Sequence, residues 1–173
     1  MIKVTTPITK KLCETLQVGD LVYITGTIYT ARDAAHKRLT EMINQGIELP
    51  FDLKDATIYY VGPTPTPPNK TFGSAGPTTS ARMDTYAGKL YDLGVSVTIG
   101  KGYRSKAVQD AIIKNNALYM VAIGGAGALL GKCVKHAEVI AFEDLGTEAI
   151  QRLEVVDFPV TVAIDGKGRM LYE

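Results

Sequence analysis

The sequence predicts a single α/β domain built on a mainly parallel sheet. Three observations predict it. Short β-branched and aromatic runs alternate with helix-forming segments through most of the chain. Glycines and prolines fall between those segments, where turns and helix stops are needed. With 173 residues, 46% hydrophobic and 21% charged, the chain can bury a genuine core, and it contains no repeat, linker or low-complexity tract.

In chain order, Val18-Gly19-Asp20 reads as a turn, and Leu21–Thr30 (LVYITGTIYT) as a mostly buried strand. A helix is expected over 31–45, with Thr30 as N-cap, Ala35, Leu39, Met42 and Ile43 near one face, and Gly46 as its stop. A second strand is expected over 56–61. Pro63, Pro65, Pro67 and Pro68 then forbid regular structure until Gly76, and loops longer than about twelve residues are usually functional or disordered.

Gly76-Pro77 makes a turn into a helix capped by a threonine and running to Leu93, where Gly94 ends it. A strand over 95–99, the turn Gly100-Lys101-Gly102, a helix over 105–115 and a strand over 118–123 follow. A small-residue helix over 124–134 and a strand over 138–142 continue the alternation, which implies right-handed crossovers. Residues 160–164 and 169–172 flank Asp165-Gly166-Lys167-Gly168 as a hairpin. The expected architecture is one domain over residues 1–173, with an N-terminal β-rich part packed beside a βαβα layer.

Net charge is +1, from 19 basic and 18 acidic residues, so no field of one sign attracts nucleic acid or an anionic membrane surface. The start, Met1-Ile2-Lys3-Val4, lacks the pattern of a signal peptide, and no stretch approaches the roughly 18 apolar residues of a membrane span. The cytoplasm is the expected location. Cys13 and Cys133 stand far apart without zinc-ligand spacing and are expected to be buried thiols. An iron–sulfur cluster takes three or four thiolates, so a reaction that needs one must find it on another chain.

A small-anion site is expected around Thr78. A helix N-terminus presents unpaired N–H groups, and Arg82 adds a planar fork suited to a carboxylate. An ordinary capped helix with a surface arginine is the alternative. Arg32 and Lys101 each follow an apolar strand, where open α/β sheets place ligand groups; either alone also reads as a solvated surface charge, but three such cations suit a dicarboxylate. His36, one turn after Arg32, is a competing base at a site rim or else a surface or capping residue; His136 is expected to be exposed.

Gly76-Pro77-Thr78-Thr79-Ser80-Ala81-Arg82-Met83-Asp84 resembles the GPTT-x-x-RM segment of the class I fumarate hydratase C-terminal region and the tartrate dehydratase β subunit. Residues 26–36 (GTIYTARDAAH), Gly100-Lys101-Gly102, residues 124–130 (GGAGALL), 148–150 and 155–159 resemble that family as well, in order along nearly the whole chain. The resemblance implies a swivelling β/β/α domain and reversible hydration of a dicarboxylate, fumarate to (S)-malate, with L-tartrate as the alternative diacid. It implies a hetero-oligomer in which a partner α subunit holds a [4Fe–4S] cluster, with no cofactor or metal bound by this chain. By matching position, Arg32, Arg82, Lys101 and Thr79 are implied to bind substrate and Thr78 to exchange the carbon-bound proton.

The glycine run offers a rival reading. Gly125-x-Gly127-x-x-x-Gly131 follows an apolar strand, and Glu143 lies roughly where a dinucleotide-binding module places its ribose-binding acid. It departs by one residue from G-x-G-x-x-G. The P-loop pattern fails at Ala126 and Cys133. Close packing by small side chains explains the run better.

Overall fold

The computed structural model describes residues 2–61, 72, 73, 75–122 and 127–171. Strands β1 (Ile2–Thr5), β2 (Leu21–Thr30), β3 (Thr57–Tyr59), β4 (Val97–Gly100) and β5 (Leu118–Val121) lie side by side and parallel. Strand β6 (Val134–Ala141) pairs antiparallel with β7 (Ile150–Ile164), and β7 is also antiparallel to β2 and β5. At 15 residues, β7 is long enough to hold β2 along one edge while its other edge takes β6 and then β5. The order β2-β3-β4-β5-β7 therefore returns to β2, and the sheet closes into a barrel.

This closure corrects the expected arrangement of an N-terminal β-rich part beside a separate layer. One edge of β2 is shared between β1, at Val22 to Thr25, and β3, at Tyr29 and Thr30, so the N-terminal strands belong to the same mixed sheet. A bulge where β2 meets β7 lies between Ile24 and Gly26. Gly26 has φ +123, and a Cβ there would stand 2.2 Å from Thr6 Oγ1. That hydroxyl accepts the Thr27 N–H at 2.6 Å.

Strand side chains alternate between two cores. Val22, Ile24, Ile28, Tyr59, Val97, Ile99, Leu118, Met120, Leu153, Val155 and Val160 form the barrel interior. Ile58, Tyr60, Tyr119 and Ala163 face outward into a second core covered by helices α2 (Asp33–Asn44), α3 (Asp84–Asp92) and α4 (Lys106–Lys114). Each fully buried Leu or Ile contributes about 1.5–3 kcal/mol. The parallel strands thus carry apolar residues on both faces, which is why they read as continuous apolar runs.

The helix starts differ in detail from expectation. Thr30 is still in β2 and its hydroxyl accepts the Gln151 N–H at 3.0 Å, so Arg32 occupies the N-cap of α2 without a side-chain cap. The Ala34 N–H donates instead to Glu148 Oε1 at 3.2 Å. The helix expected over 105–115 is α4, and Ser105 stands just before it as the N-cap, accepting from the Val108 N–H at 3.3 Å. Gly46 and Gly94 end α2 and α3 with φ of +70 and +123. The segment expected as one helix to Leu93 is a 3-10 turn, Ser80–Met83, followed by α3.

A short helix α1 (Lys10–Cys13) and strand β1 were not expected. Strand β6 begins at Val134, four residues earlier than expected, because it pairs with the first half of β7. The C-terminal hairpin is reduced to a single bridge between Ile164 and Met170. Most of the proline-rich stretch, residues 62–71 and 74, and the start of the glycine run, 123–126, lie outside the described residues. Among the described residues, helix α5 (Gly127–Lys132) follows. No described helix is long and apolar enough to cross a membrane.

Candidate functional site

Because β2, β3 and β4 are parallel, the segments that follow them emerge at one end of the barrel. Backbone bonds tie these segments together. The Ala31 N–H donates to Tyr59 O at 3.2 Å, Tyr60 N–H to Ile99 O at 2.8 Å, and Thr78 N–H to Tyr60 O at 2.8 Å. Pro77 bridges Val61, Thr79 bridges Lys101, and the Ser80 N–H donates to Lys101 O at 2.9 Å.

Arg32, Thr78, Thr79, Arg82 and Lys101 all stand on these joined segments. Arg32 is half-buried, and its Nε is fully buried without a hydrogen-bond partner among the described residues. Arg82 is exposed and forms an ion pair with Asp33, the residue after Arg32. Lys101 and Thr79 are exposed and Thr78 is half-buried. Thr78 does not cap the following turn, since Thr79 holds the N-cap position and makes no side-chain cap bond. The expected capped helix N-terminus is corrected: an extended segment bridged to Lys101, just after β4, presents Thr78 and Thr79.

His36 is corrected as well. It is 0% exposed, so it does not stand on a rim. Its Nδ1 lies 2.8 Å from Arg32 O, and because a carbonyl only accepts, Nδ1 carries the proton. Nε2 is then a buried lone pair without a partner among the described residues, with the rings of Tyr60 and Tyr86 centred 5.4 and 5.9 Å away. Burial pushes the imidazole down to about 4, against the pull of the Arg32 carbonyl and with help from the Arg104 charge. It is neutral at neutral pH. His136 is exposed on β6, as expected.

The family model described as "Fumarase C-terminus" matches residues 1–173. The chain belongs to the fumarase C-terminus family. It is 44% identical to the anaerobic class I fumarate hydratase of Escherichia coli K12 over 90% of this chain and 29% of that protein. Over 90% of this chain and 28% of the relative, it is 43% identical to fumarate hydratase 2 of Leishmania major. A Methanocaldococcus jannaschii protein with the provisional name L(+)-tartrate dehydratase subunit beta is 41% identical, over 96% of this chain and 88% of that one. The chain therefore spans under a third of the fumarate hydratases and most of the β-subunit relative.

The thiols of this fumarase C-terminus chain do not fit an iron–sulfur cluster. Cys13 is buried beside the Ser96 carbonyl, and burial pushes its thiol up to about 12, disfavouring the thiolate a metal needs. Cys133, half-buried rather than buried as expected, faces the Leu129 and Asp157 carbonyls. Among the described residues no three His, Cys, Asp or Glu side chains are grouped to hold a metal ion. The glycine run serves packing at Gly131, where a Cβ would stand 2.4 Å from the Gly73 carbonyl oxygen. Gly127 O accepts the Ala75 N–H at 2.9 Å, fastening α5 to the segment ahead of Thr78.

One charged residue of the site's framework escaped the sequence reading. Arg104 is 5% exposed and paired with Asp84, yet in sequence it is one arginine ahead of a helix cap, indistinguishable from a surface charge.

Proposed function

We propose that the chain is the β subunit of an iron–sulfur hydro-lyase that reversibly hydrates fumarate to (S)-malate and is completed by an α subunit. One observation carries this reading: three cations and a hydroxyl, Arg32, Arg82, Lys101 and Thr78, share the segments at the C-terminal ends of three neighbouring parallel strands. Such a grouping suits a compact dianion. Leaving a buried donor such as Arg32 Nε unpaired costs about 1–3 kcal/mol, which a bound carboxylate oxygen would recover.

In this reading Arg32, Arg82, Lys101 and Thr79 hold the two carboxylates, and Thr78 holds and returns the proton at the carbon that loses it. An alcohol is a weak base at neutral pH. The neighbouring guanidinium and ammonium charges are the groups that would stabilise its deprotonated form. The [4Fe–4S] cluster belongs to the α subunit, in keeping with the two unsuitable thiols here. The same proposal includes the swivelling β/β/α description, a cytoplasmic hetero-oligomer, and no nucleic-acid or membrane partner.

The near-full coverage of the β-subunit relative favours a second reading, an L-tartrate dehydratase β subunit with the same grip on a different diacid. Co-expression with an α partner, anaerobic purification and assay of fumarate against L-tartrate separate the two. Turnover of one diacid that is lost in an intact Lys101→Ala complex supports the proposal. Turnover of neither, or heat from NAD titrated into the isolated chain, overturns it.

A further inference from the structure

Resting on the dicarboxylate reading above, we propose that Arg104, Asp84, Ser80 and Tyr119 form a buried positioning cluster that sets Lys101 against Thr78 and Arg82 without touching substrate. A buried guanidinium is costly unless its donors are used, and those of Arg104 go to three different parts of the framework. Nε donates to Asp84 Oδ1 at 2.7 Å, just beyond Arg82 in the same segment. Nη1 donates to Thr98 Oγ1 at 3.0 Å, in β4 ahead of Lys101. Nη2 donates to Tyr60 Oη at 3.2 Å, and the carbonyl of that tyrosine accepts the Thr78 N–H.

The other members close the frame. Asp84 Oδ2 accepts the Ser105 N–H at 2.6 Å, so one carboxylate spans the end of the Arg82 turn and the start of α4. The Tyr119 hydroxyl donates to Gly102 O at 2.8 Å and lies 2.8 Å from Ser80 Oγ. Lys101 is thereby held at Thr98 before it and at Gly102 and Arg104 after it. A buried ion pair adds little stability over apolar packing, but a planar fork with three committed donors fixes direction, which a lysine point charge cannot reproduce. Sub-ångström placement of carboxylate-binding groups is what a diacid needs, since a misplacement on the order of 1 Å can cost roughly a hundredfold in rate.

The test is a double-mutant comparison in the assembled complex. Tyr119→Phe keeps the ring and removes only the hydroxyl. It is expected to lower kcat/KM by about tenfold, mainly through KM, and to weaken binding of succinate, a non-reacting diacid, in parallel. In a Lys101→Ala background the same substitution should change kcat/KM by less than about twofold, because its effect passes through Lys101. Arg104→Lys should behave alike and more strongly; if it does not assemble, Tyr119→Phe and Ser80→Ala carry the comparison. Unchanged kinetics in Tyr119→Phe, or an undiminished effect in the Lys101→Ala background, overturns the proposal. An inactive parent complex instead overturns the hydratase reading, and succinate titration then decides alone: weakened affinity in Tyr119→Phe supports the cluster and unchanged affinity sinks it.

Discussion

The backbone N–H of Ser80 donates to the carbonyl of Lys101 at 2.9 Å, joining the segment after β3 to the residue that follows β4. That approach depends on Gly100, where a Cβ would stand 2.1 Å from Ser80 Oγ and 2.9 Å from the Tyr60 ring. Gly100→Ala should therefore destabilise the chain by about 1–3 kcal/mol, read from urea unfolding, and depress turnover along with stability. A substitution without effect on either would show that the two segments are not held this closely.

Thr78→Ala separates a chemical from a structural role. Its hydroxyl caps no helix, so the change in stability should stay within about 0.5 kcal/mol. Turnover in the assembled complex should fall by about 10²- to 10⁴-fold if the hydroxyl moves the proton. Retained turnover would assign that step to another group.

Arg82 and Asp33 form an exposed pair, with side chains 56% and 31% accessible, and such pairs contribute about 0–1 kcal/mol. Arg82→Ala should accordingly leave the melting temperature nearly unchanged while raising KM for the diacid. Asp33→Ala frees the guanidinium and should lower KM. A rise in KM for Asp33→Ala would mean that the pair holds Arg82 in its working position.

His36 makes folding sensitive to acid. Its imidazole is held near 4 in the native state by burial, while an unfolded chain takes up the proton near 6.5. Between those values the unfolded state binds more protons, so stability is complete above the higher value and falls as pH drops toward the lower. The separation corresponds to about 3 kcal/mol. Urea midpoints should fall from pH 7 to pH 5, and His36→Phe should flatten that decline. An equally steep decline in the variant would place the acid sensitivity elsewhere.

Much of the fold was legible because its signals are local. Strand β2, the helices over Asp33–Asn44 and Lys106–Lys114 and the Gly94 stop follow from periodicity and positive-φ glycines, all readable within a few residues. The first half of β7 and the early start of β6 were not, because each is a strand through pairing with the other. The one-helix reading after Gly76 failed for the same reason: Thr79 bonds across to Lys101, and a distant partner overrode a good local helix signal.

By itself the sequence determined which residue types stand after which strands, and hence Arg32, Thr78, Arg82 and Lys101 as candidates, together with the motifs that resemble one family. Tertiary structure decided that the sheet closes, that His36 is buried and neutral, and that Arg104 is an internal charge. The physical reason is that caps and periodicity act over a few residues. Burial and charge pairing depend on groups brought together from distant positions, as when the 15 residues of β7 close the barrel and Asp84 meets Arg104.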